Sequence, residues 1–305
     1  MYRVPAEFDS YWRETLDELG KIDMTPELEL IPLRSTDFAE LYGVQLSSFG
    51  DYRVYGFLSI PTGPTDASES YPAIYFTPRY QSVVQPIPQG TSNVLRRHFV
   101  TFSLAARGQR NADKTFAADF PGWLTTDIAD AEKYIFRGVV ADCVRGLEFL
   151  SGQDQIDPAR IAVVGNDLAL ITAALGNGAT PRATHVASTP ELFFGHPETG
   201  EGYPRAEIND HLRLATGDAG PVRRTLALFD LRAFALSAPA PRLITAGPIG
   251  SAFECASLAP LAAPAQATLR QTEQSLYKDG VALMTWLAAQ FGMPNPSAML
   301  PPAWK

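Results

Sequence analysis

Histidine is scarce in this chain. Four occur in 305 residues (His98, His185, His196 and His211), so nothing beyond residue 211 can supply an imidazole. Cysteine is scarcer still. Cys143 and Cys255 cannot make a disulfide framework, are not spaced as metal ligands, and are expected as small buried hydrophobes. Positive charge is also short, with 25 Lys and Arg against 33 Asp and Glu and a formal net charge of −8. That balance argues against nucleic acid or an anionic membrane as the main partner. No apolar run approaches the roughly 20 residues that span a bilayer. The opening MYRVPAEFDSYW has no apolar core, so no signal peptide is expected and a cytoplasmic location is. No phosphate-binding glycine loop is present either, since Gly176-Asn177-Gly178 follows a helical stretch and reads as its C-cap. Neither a cofactor nor a metal is expected.

What is present is an ordinary globular mixture, 46% hydrophobic and 19% charged, long enough to bury a sizeable core. Helical spacing over Glu7 to Leu19 puts Phe8, Tyr11, Trp12, Leu16 and Leu19 on one face. Glu27 to Pro32 and Glu40 to Ser48 alternate apolar and polar, and a Gly50-Asp51 turn leads into Tyr52 to Ile60, which predicts an antiparallel hairpin. A Pro/Gly/Ser-rich loop covers Pro61 to Tyr71. Ala73 to Phe76 and His98 to Leu104 are near-continuous apolar runs, as expected of parallel strands covered on both faces. Glu132 to Leu150 and Leu168 to Leu175 predict helices, and Ile161 to Val164, Ala183 to Ser188, Arg242 to Ala246 and Thr268 to Arg270 predict strands. A polar stretch from Glu191 to about Gly220 interrupts this rhythm as a helical cap. Val281 to Phe291 predicts a closing helix, and Pro294 to Lys305 a Pro-rich tail. Strands alternating with helices imply a doubly wound, mostly parallel sheet with right-handed crossovers. With no linker and no repeat, residues 1–305 are expected to form one domain, with the helix and hairpin in 1–60 and the cap at about 191–220.

The most informative stretch is Arg160-Ile161-Ala162-Val163-Val164-Gly165-Asn166-Asp167-Leu168-Ala169-Leu170. A β-branched run breaks at Gly165 and enters an Ala/Leu-rich helical stretch. This is the layout of the nucleophile elbow of α/β-hydrolases, usually G-x-S-x-G. Here Asp167 holds the nucleophile position and Ala169 replaces the last glycine.

The residues around the elbow resemble carbohydrate esterase family seven, the acetyl xylan esterases and cephalosporin C deacetylases of the α/β-hydrolase superfamily. FDSYWRETLDEL is similar to the family's FDxYWxxTLxEL, and GVQLSSFGDYRVYGFLSIP contains its GxRVxGxLxxP. PGWLTTDIADAEKYIFRGVVADCVRGLEFL resembles PGxMTxGIxDPExYYYRxVxxDAVRAVExL, and Arg107-Gly108-Gln109 reproduces the core of TRGQG. The resemblance covers nearly the whole chain and implies an α/β-hydrolase fold. It also implies a triad that this chain does not carry. The family's GGSQGG serine and the following oxyanion-hole residue correspond to Asp167 and Leu168. Its GLxDxxxPP aspartate corresponds to Gly250, and its HEGGG histidine to Thr272. Tyr80, in PRYQSV, falls on the oxyanion-hole tyrosine of GYNGG. Relatives form hexamers, which implies a homo-oligomer or a hetero-oligomer with a related esterase.

Ser-His-Asp hydrolysis needs a hydroxyl nucleophile, a base within reach and an acid orienting it. All three positions are changed. Three readings follow from the residues. The first is a non-catalytic pseudo-esterase acting in assembly or small-ligand binding. The second is a repurposed enzyme with Asp167 as carboxylate nucleophile or base, as in haloalkane dehalogenases, which also need a histidine to activate water. The third is an esterase with a displaced histidine. Against the second stands a plainer account of Asp167 as a carboxylate in the first turn of a helix, where an anion gains about 0.3–1 kcal/mol. Arg79 and Arg107 are candidates for holding an anionic ligand, Arg107 alternatively a loop anchor. Glu254 and Glu273 are candidate acid–base partners of Asp167, or solvated carboxylates. His196 matches a histidine ahead of the family's cap and reads as structural.

Overall fold

The computed structural model describes residues 2–50, 52–63, 70–84, 96–109, 118, 120–177, 182–215, 217–239, 241–262 and 267–293. The tail 294–305, the loop positions 64–69 and Gly178 lie outside the described residues.

Helix α1 (Phe8–Gly20) forms where the spacing predicts it, with Phe8, Tyr11, Trp12 and Leu19 buried. The Trp12 indole donates to the Leu228 carbonyl at 3.0 Å. Its ring lies edge-on to Phe229 at 5.1 Å, so the N-terminal helix is fastened to a segment more than 200 residues away. The sheet runs β1 (Glu27–Leu30), β2 (Ala39–Ser48), β3 (Tyr52–Pro61), β4 (Tyr71–Phe76), β5 (Val100–Ala105), β6 (Ile156–Gly165), β7 (His185–Ser188), β8 (Arg242–Ala246) and β9 (Ala267–Gln271) in sequence. In space the order is β1-β2-β3-β5-β4-β6-β7-β8-β9. The first three pair antiparallel, β3 pairs antiparallel with β5, and every pairing from β5 to β9 is parallel. The hairpin turn uses Gly50 at φ +66, a conformation that a Cβ disfavours.

Helices cover both faces, which explains why the central strands read as unbroken apolar runs rather than alternating ones. On one face, α2 (Ile135–Ser151) and α3 (Asp167–Leu175) pack over Tyr75, Phe102 and Val163. On the other, α8 (Leu276–Gln290) lays Met284, Leu287 and Ala288 on Ile74, Ala162 and Leu243. Between β7 and β8 the chain leaves the sheet to form α4 (Ala206–Leu214), α5 (Gly220–Ala227) and α6 (Leu231–Phe234). The helical insertion therefore continues past the expected limit of about Gly220, because Phe229 and Phe234 are packed against Trp12 of α1 and Leu231 is buried rather than exposed in a connecting loop. Helix α7 (Cys255–Ala262), carrying Pro260, was not legible in the spacing. Helix α8 starts at Leu276 rather than Val281, because the Ser275 side chain accepts from the Lys278 amide and caps it. No helix among the described residues is long and apolar enough to cross a membrane.

Arg107, read from the sequence as a loop anchor or a ligand holder, is an internal anchor. Its Nε and Nη2 donate to the two carboxylate oxygens of Asp142 at 2.9 and 2.8 Å, and Nη2 also reaches the Phe49 carbonyl at 2.6 Å. Asp142 is fully buried and accepts from the Ser48 hydroxyl at 2.6 Å as well. The pair fastens the β2–β3 hairpin to α2, with both charges compensated by bidentate geometry.

Candidate functional site

The site is built at the carboxyl ends of the parallel strands, where open α/β sheets place their clefts. Strand β6 ends at Gly165, where a Cβ would collide with the Thr77 hydroxyl on β4's exit, so the turn needs glycine there. Asn166 is the hinge residue, its carbonyl accepting from the Ala169 amide at 3.0 Å as α3 begins. Strand, glycine turn and helix are therefore all in place. The strained backbone of a nucleophile elbow is not. The non-glycine residues with positive φ among those described are Thr25, Gln81, Asp127 and Gln274, and Asp167 simply opens the helix.

The Asp167 side chain is 1% exposed. Its Oδ2 accepts from the Glu191 amide at 2.9 Å, its Oδ1 from the Phe193 amide at 2.9 Å, and both oxygens accept from the Leu192 amide, at 3.0 and 3.1 Å. Three consecutive backbone donors thus close on one carboxylate and tie the segment after β7 to the helix start. Burial pushes the Asp167 carboxyl up to about 6, while the Phe193 and Leu192 amides pull it back down. At neutral pH it is an anion with its acceptor sites filled. Neither oxygen is presented to a substrate, so the geometry gives no support to Asp167 as nucleophile or base. The space beside it, between Tyr80, Trp123, Phe136, Leu168 and Leu192, is only about 10 Å³.

Tyr80 and Leu168, the oxyanion-hole positions, flank this filled space. Leu168 is buried. The Tyr80 hydroxyl donates to Glu207 Oε2 at 2.5 Å and accepts from the Leu124 amide at 3.0 Å. Burial raises the Tyr80 phenol above its usual range, and its bond to Glu207 adds to the rise. Glu207 itself is raised by burial, against the two hydrogen bonds that favour its carboxylate. Nothing in the sequence marked Glu207, since a single acidic residue in an amphipathic helix ordinarily faces water. Only the folding of α4 over the strand ends turns it inward.

Beside the filled space lies an open cleft in three parts. One cavity of about 420 Å³ is walled by Arg79, Gly165, Asn166, Ser188, Thr189 and Thr272, among others. A second, about 450 Å³, adds Tyr80, Glu191, Tyr203 and Phe253. A third, about 740 Å³, runs along Thr77, Arg79, Val83 and Gly165. The fold thus brings Arg79, Thr272 and the elbow backbone together. Thr272 donates its hydroxyl to Asp279 Oδ2 at 2.5 Å, and Arg270 pairs with the other oxygen of Asp279. Gly250, aligned from the sequence with the family's acid, lies in the exposed turn after β8 at φ +83 and donates its amide to Glu254 at 2.8 Å. Glu273 is exposed and pairs with Lys278 at 2.7 Å and Arg270 at 3.0 Å. Neither Glu254 nor Glu273 lines these cavities, so of the two readings the acid–base pairing with Asp167 finds no support and that of carboxylates away from the site does. No histidine lines them either. His196 is exposed and 3.5 Å from Glu198, and His185 is packed edge-on against Phe291. The cleft residues missed in the sequence, Asn166, Ser188 and Thr189, are polar groups at strand ends. Their neighbours come from β7, which the chain order alone does not place beside β6.

The sequence matches the family described as acetyl xylan esterase (AXE1) over residues 1–250. The curated acetyl esterase Axe7A of Xylanibacter ruminicola is 26% identical over 259 residues, covering 80% of this chain. The match covers 56% of that protein, so the chain spans little more than half the length of its curated relative. Among solved structures, acetyl xylan esterase 1 from Thermoanaerobacterium sp. JW/SL YS485 superposes with a TM-score of 0.80 at 19% identity, over 95% of this chain and 96% of that one. An acetyl xylan esterase from Paenibacillus sp. R4 gives 0.79 at 21% identity, over the same shares of the two chains. At these identities the likeness to the two structures is one of fold, an α/β-hydrolase sheet with its helices.

Proposed function

The chain belongs to the acetyl xylan esterase family, and from that premise we propose that it does not turn over esters by the family's serine mechanism and instead binds a small molecule in the cleft. One observation carries the reading. The elbow side chain is a buried carboxylate closed off by the amides of Glu191, Leu192 and Phe193. A nucleophile must reach its substrate, and this one faces away from the open cleft. The positions that resemble the acid and the base hold Gly250 and Thr272, so no imidazole is available to activate a hydroxyl or a water. By analogy with a dismantled serine protease triad, the loss in turnover is on the order of 10⁶.

The reading is tested by assaying the purified protein on p-nitrophenyl acetate and on acetylated xylo-oligosaccharides. The expected rate equals that of Asp167→Ala and of buffer. Turnover well above buffer that disappears in Asp167→Ala overturns the proposal.

We also propose that the protein assembles, with copies of itself or with a related active esterase. The support is the sheet edge at β1, where all four residues are exposed and Leu28 and Leu30 are 46% and 44% accessible. Light scattering of the protein alone and mixed with an esterase encoded beside it checks this. A monomer in both samples refutes it.

A further inference from the structure

The cleft has a chemical character of its own, and its centre is Arg79. Of the described residues, Arg79 alone lines all three cavities, those of about 420, 450 and 740 Å³. Its backbone is fixed, with the carbonyl accepting from Gln109 Nε2 at 2.9 Å and from the Ser82 hydroxyl at 3.0 Å. Gln109 is itself buried and holds the Ala106 amide at 3.0 Å, so the platform under Arg79 is rigid. The guanidinium is different. It has no ion pair and no hydrogen bond among the described residues, and it is exposed into the cleft. The chain's inward arginines are not left this way: Arg107 holds Asp142, Arg137 holds Glu18, and Arg242 holds the carbonyls of Ala235 and Ala238.

The rest of the wall limits what such a guanidinium would meet. Around the 420 Å³ cavity stand the hydroxyls of Ser188, Thr189 and Thr272 and the carboxamide of Asn166. The Ser188 hydroxyl donates to the Asn166 carbonyl at 2.9 Å, the Thr272 hydroxyl to Asp279 and the Asn166 carboxamide to Glu191, which leaves these groups acceptor lone pairs for the hydroxyls of a polyol. Two carboxylates share the walls. Glu191, in the second cavity, is held by the Asn166 amide nitrogen, and Asp279, in the first, by Arg270 and Thr272. Asp279 is compensated by Arg270, which leaves the Arg79 guanidinium and the Glu191 carboxylate as the wall charges without an ion pair among the described residues, so a dianion such as a phosphate monoester meets more repulsion from Glu191 than a monoanion does. The cleft suits one negative charge, delivered as a planar carboxylate that a guanidinium fork grips with two parallel bonds.

We propose that the cleft binds a sugar acid, a ring of hydroxyls bearing one carboxylate, and that Arg79 is its carboxylate anchor. The proposal rests on the reading that the cleft binds rather than hydrolyses. Each of the two smaller cavities falls within the range of about 300–1,000 Å³ usual for small-ligand sites.

Calorimetric titration with D-glucuronate, D-glucose and D-glucose 6-phosphate tests it, on the parent protein and on Arg79→Gln and Arg79→Lys. Glucuronate is expected to bind the parent, with glucose and glucose 6-phosphate each weaker by about tenfold or more, the worth of one charge-assisted pair. Arg79→Gln is expected to lose about tenfold or more for glucuronate and nothing for glucose. Arg79→Lys falls between, because an ammonium keeps the charge but not the fork. Since the guanidinium makes no ion pair or hydrogen bond among the described residues, both variants are expected to keep the parent's unfolding midpoint. No heat with glucuronate up to about 10 mM, tenfold above a Kd of about 1 mM, equal affinity in Arg79→Gln, or tighter binding of the phosphate each overturns the proposal. Ester turnover is read in a separate assay, so activity there would refute the non-catalytic reading while leaving the titration result to stand by itself.

Discussion

Replacing Asp167 with asparagine changes one oxygen into an NH₂ group and little else in shape. In the parent, both carboxylate oxygens accept from the amides of Glu191, Leu192 and Phe193. A carboxamide keeps one acceptor and turns two donors toward the remaining N–H, in a place with 1% exposure and no room for water. At least one buried donor is then unsatisfied, at about 1–3 kcal/mol, and a donor–donor contact is added, so the expected loss at pH 8 is about 2–4 kcal/mol. The pH dependence sharpens the test. Burial raises the Asp167 carboxyl from 3.8 to about 6. A carboxylate raised on folding adds stability that is complete below the unfolded value and disappears as pH rises through the folded one. The parent should therefore lose on the order of 1 kcal/mol from this group between pH 5 and pH 8, and the asparagine variant should lose none of it. Urea unfolding followed by tryptophan fluorescence at the two pH values, compared between parent and variant, isolates the group from every other titration. The gap between them should be wider at pH 5. If the variant matches the parent at both pH values, the carboxylate does not anchor the segment after β7. If the gap widens toward pH 8 instead, the three amides outweigh burial and the direction of the shift is wrong.

Other variants test the rest of the site. Asp142→Ala leaves the Arg107 guanidinium buried without its partner and should cost about 3–5 kcal/mol in urea unfolding, whereas Arg79→Gln should cost nothing measurable. Gly165→Ala pushes a methyl into the Thr77 hydroxyl and should destabilise by about 1–3 kcal/mol, with much of the loss recovered in a Gly165→Ala/Thr77→Ala double variant, as a double-mutant cycle would read. Tyr80→Phe removes the donor to Glu207 and one of the two acceptors of the Leu124 amide, the other being Glu207 Oε2 at 3.1 Å; a loss of about 1–3 kcal/mol is expected, and the proposed non-catalytic reading predicts no change on p-nitrophenyl acetate. Asp167→Ser should give no ester hydrolysis above buffer, since the hydroxyl gains no base; measurable turnover in that single variant would mean a base exists that the cleft walls do not show.

Much of the scaffold was legible before any coordinates. The face Phe8, Tyr11, Trp12 and Leu19 is a helical period, and it is the buried face of α1. The run Ile161 to Val164 with a glycine behind it is the central strand and its turn, because β-branched residues suit a strand buried on both sides and only glycine fits beneath Thr77. The long insertion was read too short, since Phe229 and Phe234 look like part of an ordinary apolar run until α1 is seen to pack on them. Arg107 was legible as a conspicuous arginine with two uses, a loop anchor or a ligand holder. Asp142, 35 positions away, decides between them.

The sequence by itself determined that this chain has the parts of an α/β-hydrolase elbow with aspartate where a nucleophile would stand, because local period, glycine placement and residue identity are carried by neighbours along the chain. The tertiary structure alone decided what that aspartate does. A carboxylate at a helix start either faces a cleft or turns inward, and the choice depends on which donors are near. Here the amides of Glu191 to Phe193, delivered by the return of β7 beside β6, lie within 3.1 Å, and they hold the charge inside the fold while Arg79 is left facing the open cleft.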